Sequence, residues 1–175
     1  VNYNAINTIM DNIVFPMPSM FDLDAISEIA YRNLEGDTHR RLIDNEPYMT
    51  QLREKYPWLS KSYHVYKPKI QMPLHVDSSR TCAINIPVRC DDSETIVYEW
   101  INEKFGDYDE KRKMYNIAES DVREIYRFTL SEPVLFNTTM PHKVEITGPN
   151  RRISISWNVN GTFEEIKNKY IHAHR

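Results

Sequence analysis

Arg151-Arg152-Ile153-Ser154-Ile155-Ser156-Trp157-Asn158-Val159 alternates strictly between two kinds of side chain. As an extended strand it puts Ile153, Ile155, Trp157 and Val159 on one face, and Arg152, Ser154, Ser156 and Asn158 on the other. The simplest use of such a strand lays the apolar face on a core and the polar face in water. A jelly roll with helices packed on its outside reverses that assignment. The apolar face then meets the helices, and the polar face lines a hydrophilic cavity between two sheets. Arg152 would stand inside that cavity, where a guanidinium needs an anionic partner and is shaped to hold a carboxylate through two parallel hydrogen bonds. The Ser154 hydroxyl would add a third.

The surrounding sequence supplies both parts of that architecture. From residue 62 onward the chain breaks into eight short segments rich in Val, Ile, Thr, Tyr and Phe: Ser62–Lys67, Ile70–Asp77, Thr81–Val88, Thr95–Trp100, Arg123–Leu130, Pro133–Asn137, His142–Thr147 and Arg152–Val159. So many short strands without helices between them indicate an antiparallel sandwich or jelly roll. The charged stretch 102–122 interrupts the series and is expected to be an exposed insertion. Ahead of the β region, 10–20 reads as irregular around Pro16 and Pro18, opening with a short strand. Asp22 caps a helix over Leu23–Leu34 with an apolar stripe at Leu23, Ile26, Ile29, Ala30 and Leu34, stopped by Gly36. A polar loop over 37–46 precedes a second helix from Pro47 to Lys55, ended by Pro57. Phe163–His172 reads as a last helix with Phe163, Ile166 and Tyr170 on one side. The expected fold is mainly β with flanking helices: a double-stranded β-helix, jelly-roll or cupin-like. It is expected as one domain, with helical support over 1–61, a β core over 62–159 and a C-terminal helix within 160–175.

A length of 175 residues suffices for a sizeable core without disulfides. The formal net charge of −3 and scattered Lys and Arg give no footprint for nucleic acid or an anionic membrane. No apolar run approaches a membrane span, and the sequence opens with no charged-then-apolar leader pattern. Cys82 and Cys90 are too few for a disulfide framework and lack partners at zinc-finger spacing. They read as two reduced thiols, so a cytoplasmic location is expected.

Two further stretches carry chemistry. In Met72-Pro73-Leu74-His75-Val76-Asp77, His75 and Asp77 project to the same side of an extended segment. By itself a His-x-Asp triplet is equally read as a surface His beside a turn Asp. In Leu135–Val144 a short apolar strand runs into a turn, and His142 then opens a new strand on the face it shares with Val144 and Ile146. A buried His at a strand end is often only a hydrogen-bonded core residue. Taken together, two imidazoles and one carboxylate on one face of an ion leave its other positions open, the arrangement of non-haem Fe(II) oxygenases. Lesser candidates line up around them. Gln71 shares strand parity with His75 and Asp77; Arg80 and Asn85 lie on the next strand, Arg80 suited to a substrate carboxylate; Tyr66, Tyr98 and Trp100 are candidate walls. Asn137 reads as a turn residue, His64 as a strand residue without an obvious partner, and His172 and His174 as a mobile tail.

At this point the sequence resembles the 2-oxoglutarate- and Fe(II)-dependent dioxygenases. Their motif is His-x-Asp, a gap of some tens of residues, a distal His, and Arg-x-Ser about ten residues further on. It falls here on His75, Asp77, His142, Arg152 and Ser154, and the resemblance covers 63–159. The stretch 47–60 followed by His-x-Asp and an Ile-Pro strand also looks like the aspartyl/asparaginyl β-hydroxylase-like branch, although that branch often lacks the carboxylate that Asp77 supplies. The resemblance implies Fe(II) on His75, Asp77 and His142. It also implies 2-oxoglutarate with its far carboxylate on Arg152 and Ser154, O2 as oxidant, and succinate and CO2 as products. A carboxylate at position 77 implies hydroxylation rather than halogenation. The substrate would be an amino acid, a peptide side chain or another small metabolite. Two rival readings remain open: a cupin-like metal enzyme that does not use 2-oxoglutarate, and a non-catalytic β-sandwich binding module in which His75 and His142 lie far apart.

Overall fold

The computed structural model describes residues 12–34, 39–43, 46–67, 71–150 and 152–174. Among them, strands numbered in chain order form two six-stranded antiparallel sheets. The first sheet runs β1 (Val14–Pro16), β10 (Val134–Asn137), β5 (Cys82–Arg89), β12 (Ile153–Val159), β3 (Leu59–Tyr66) and β2 (His39–Ile43). The second runs β7 (Tyr108–Asp109), β8 (Met114–Asn116), β4 (Met72–Asp77), β11 (His142–Ile146), β6 (Ser93–Trp100) and β9 (Val122–Phe128). From β3 to β6 and again from β9 to β12, successive strands fall in alternate sheets. The chain thus winds as a double-stranded β-helix, the jelly roll the strand pattern indicates.

Three helices cover the outside of the first sheet: α1 (Leu23–Asn33), α2 (Pro47–Lys55) and α3 (Phe163–Ala173). Their ends follow from local chemistry. Asp22 accepts from the backbone N–H groups of Asp24 and Ala25, and Thr162 and Glu165 close a reciprocal capping box at the start of α3. Pro47 sits in the first turn of α2. Each helix turns its apolar stripe inward: Ile26, Ile29 and Ala30 from α1, Met49 and Leu52 from α2, Phe163, Ile166 and Tyr170 from α3. These pack with Tyr63, Val65, Ile84, Ile86, Leu135, Ile153, Ile155 and Trp157 in one apolar cluster. Trp157 anchors it, 1% exposed, with its indole Nε1 donating to Ser60 O at 2.8 Å. The apolar face of β12 therefore meets the helices, and its polar face turns toward the second sheet.

Two sequence expectations change. The stretch 37–46 contains a strand, β2, paired with β3; Gly36 lies outside the described residues. β2 sits at a sheet edge, where a strand needs no alternation of buried and exposed positions. The insertion 102–122 is likewise more than a loop. Its hairpin, β7 and β8, extends the second sheet along the edge of β4, and Met114 is 1% exposed. The densest run of charge, Glu110–Lys113, falls at the turn between β7 and β8. Gly106 permits the hairpin to close, because a Cβ there would stand 2.6 Å from Asn116 O. Cys82 and Cys90, both free, stand at opposite ends of β5, about 26 Å apart at strand rise, far beyond disulfide reach. Among the described residues no helix is long and apolar enough to cross a membrane.

Candidate metal centre

β4 and β11 are hydrogen-bonded neighbours, and His75 lies directly opposite His142. Paired residues of an antiparallel ladder share a face, so both imidazoles point into the space between the sheets. Their ring centroids are 4.2 Å apart. Asp77, one pleat further along β4, brings Oδ1 to 3.8 Å from His75 Nε2. One ligand atom from each of His75, Asp77 and His142 lies within 4.8 Å of the others. The same row continues to both sides. Val97 on β6 stands opposite His142, and Asn116 on β8 stands opposite His75. The Phe136 ring meets His142 edge-on at 4.9 Å, forming an apolar wall.

The hydrogen bonds determine which nitrogens are available. His75 Nδ1 lies 2.7 Å from Pro73 O, and His142 Nδ1 lies 2.8 Å from Met140 O. A carbonyl can only accept, so each Nδ1 carries the proton and each Nε2 presents a lone pair to the centre. Burial, reinforced by neighbouring His75, pushes His142 down to about 3. Burial also lowers His75, with Arg80 and Arg112 adding to it against the pull of Asp77. Burial pushes the Asp77 carboxyl up, but Arg80 and the two imidazoles outweigh it and hold it below the usual carboxylate range. Two neutral imidazoles and an ionised carboxylate form a donor set suited to a divalent cation.

Arg152 and Ser154 lie across the cleft, at the start of β12, 6% and 5% exposed. Arg152 Nη1 donates to Thr95 Oγ1 at 2.9 Å; Thr95 belongs to β6, so the side chain spans from one sheet to the other. Among the described residues no carboxylate pairs with it, and burial lowers its pKa. Asn85 shares the inner face, opposite Ser156 and half-buried. Arg80, expected to meet a substrate carboxylate, is already engaged. Its Nε donates to Asp77 Oδ2 at 2.6 Å, and its Nη1 reaches Ser156 Oγ at 2.8 Å and Asn158 Oδ1 at 2.9 Å. Gln71 is exposed, four residues and about 13 Å of strand from His75, and does not join the cluster. Tyr98 and Trp100 pack with Leu74 and Val76 on the outer face of the second sheet, so they are not cleft walls. Tyr66 is on the inner side, with His64 stacked on it at 5.8 Å. His174 is not a loose tail: its Nε2 lies 3.0 Å from Tyr56 Oη.

Thr138 is a residue of the site that the sequence did not single out. It is 1% exposed and knits together the turns that follow Asp77 and precede His142. Its carbonyl accepts from Asp77 N at 3.3 Å, its N–H donates to Thr81 O at 3.1 Å, and its hydroxyl donates to Arg80 O at 2.9 Å. Nothing in Asn137-Thr138-Thr139 distinguishes it from an ordinary turn threonine; Asn137 Oδ1 does accept from Thr139 N, as a turn residue would.

No family model matches the sequence, and no curated protein matches it. Solved structures share its fold. The epimerase SnoN, in complex with Fe3+, alpha ketoglutarate and nogalamycin RO, superposes with a TM-score of 0.55 at 11% identity, over 88% of this chain and 82% of that one. HygX from Streptomyces hygroscopicus with nickel and 2-oxoglutarate bound gives 0.51 at 11% identity, over 93% and 89%. EvdO2 from Micromonospora carbonacea var. aurantiaca complexed with 2-oxoglutarate gives 0.51 at 11% identity, over 92% and 91%. At these identities the likeness is one of fold.

Proposed function

We propose that this chain is an Fe(II)- and 2-oxoglutarate-dependent oxygenase that hydroxylates an unactivated C–H bond of an amino acid, peptide side chain or other small metabolite. The observation that carries the proposal is the Arg152 guanidinium. It is buried without an anionic partner among the described residues, in the same cleft as two imidazole lone pairs and a carboxylate. An isolated buried cation is costly, and a carboxylate-bearing ligand would remove that cost. The fold neighbours crystallised with iron or nickel and with 2-oxoglutarate make that ligand pair the natural candidate.

His75 and His142, through Nε2, and Asp77, through Oδ1, would hold the metal. When bound, the metal and cosubstrate would supply O2 activation, and 2-oxoglutarate would be converted to succinate and CO2. The rest is done by the chain. Arg152 binds the far carboxylate of the cosubstrate in its fork, with Ser154 adding a hydroxyl. Pro73 O and Met140 O keep both rings in the ligating tautomer. Val97 and Phe136 exclude water beside His142. Asn85, half-buried on the inner face of the first sheet, offers its amide to the substrate.

An anaerobic titration with Fe(II), with and without 2-oxoglutarate, tests the reading. A weak visible charge-transfer band should require both components and vanish in Arg152→Ala. A band of equal strength in that variant would remove Arg152 from cosubstrate binding. Succinate formation should cease in His75→Ala.

A further inference from the structure

We infer that Arg80 is the positioning residue of the metal centre, fixing Asp77 so that Oδ1 alone is left to face the imidazoles and tying that carboxylate to the opposite sheet. The inference rests on the metal reading above. Asp77 ends β4 in the second sheet. Arg80, three residues on, caps its Oδ2 with a charge-assisted bond from Nε at 2.6 Å. The other end of the guanidinium crosses the cleft to the first sheet, where Nη1 reaches Ser156 Oγ and Asn158 Oδ1 on β12. The Tyr66 phenol on β3 is a further partner. A rigid planar fork thus holds its carboxylate at one end and its own anchors at the other, a geometry a flexible ammonium does not reproduce. The backbone of the turn is held as well, by the Thr138 hydroxyl on Arg80 O.

The arrangement explains the polar half of β12 beyond Ser154. Ser156 and Asn158 lie on the cleft face, yet Ser156 Oγ and Asn158 Oδ1 are turned to Arg80. With Oδ2 capped, Asp77 has one oxygen for an ion, and the strand opposite its own sheet determines where that oxygen stands. Metal affinity then depends on residues that touch neither metal nor cosubstrate.

Co(II) is the probe, added to the apo protein and followed by calorimetry and by its visible absorption. The wild type should bind at one site that His75→Ala removes. Arg80→Gln should weaken binding by about 10–100-fold, the usual effect of losing a partner of a ligating side chain, and should change the Co(II) spectrum. Arg80→Lys should recover part of the affinity without the wild-type spectrum. The double variant Ser156→Ala/Asn158→Ala, which leaves Arg80 on Asp77 without its two anchors on β12 and with only the Tyr66 phenol across the cleft, should lose about fivefold. If the wild type takes up no Co(II), or His75→Ala binds as well, the metal reading falls and this inference with it. If the wild type binds and Arg80→Gln and the double variant match it in affinity and spectrum, the role of Arg80 is refuted while the metal reading stands. Should Arg80→Gln fail to fold, the double variant decides alone.

Discussion

The two faces of β12 are equally dry and chemically opposite. Outward, Ile155 and Trp157 are 0% and 1% exposed beneath the helices; inward, Ser154, Ser156 and Arg152 are 5%, 3% and 6% exposed between the sheets. In an ordinary sandwich the apolar core lies between the sheets. Here it lies outside the first sheet, and much of the space between is given to polar side chains that meet across the cleft, Arg152 with Thr95 and Arg80 with Ser156 and Asn158. Burial therefore serves two ends in one strand. The outer face stabilises the fold, at about 1.5–3 kcal/mol for each large apolar side chain taken from water. On the proposed reading the inner face holds groups in place for a ligand, and Arg152 would do so at a cost to the free protein.

That division can be broken by experiment. Trp157→Ala, on the outer face, should destabilise the protein by about 3–5 kcal/mol in urea unfolding. The molecules still folded should form the Fe(II)/2-oxoglutarate band. A loss under about 1 kcal/mol would mean that the helix-covered cluster is not the stabilising core. Arg152→Met, on the inner face, should act in the opposite sense. Replacing an unpaired buried cation by an apolar chain should stabilise the apo protein by about 1–4 kcal/mol while removing the cosubstrate band. Lower stability in that variant would show that the bond to Thr95 serves the fold instead of a ligand.

The smallest effect is the dependence of apo stability on pH. His142 is held at about 3 in the folded chain, below its ordinary value. Between those values the unfolded chain binds more protons, so stability rises with pH across that window and is lost as pH falls below about 6.5. At pH 5.5 the loss from this one group should be about 1.4 kcal/mol. Urea midpoints measured across pH should show a slope that lessens in His142→Asn; an unchanged slope would mean that His142 is not the buried neutral group.

What could be read without coordinates was the local pattern. Alternation along Arg152–Val159, and in its seven companion segments a richness in Val, Ile, Thr, Tyr and Phe, located the strands of the double-stranded β-helix within a few residues, because both signals are written into the chain itself. Asp22, Pro47 and Phe163 marked the helices for the same reason: caps and stripes are local. His75, Asp77, His142, Arg152 and Ser154 could be named as a set, but their meeting could not be derived. His75 and His142 are brought opposite each other by the pairing of β4 with β11, a register between segments far apart in the chain. The strand 39–43 and the 102–122 hairpin escaped because an edge strand draws its order from the neighbour it pairs with and needs little pattern of its own. Arg80 was open to a substrate on paper and is closed to it in space. Its partners Ser156 and Asn158 lie on the opposite sheet, and only the fold brings them within hydrogen-bond reach.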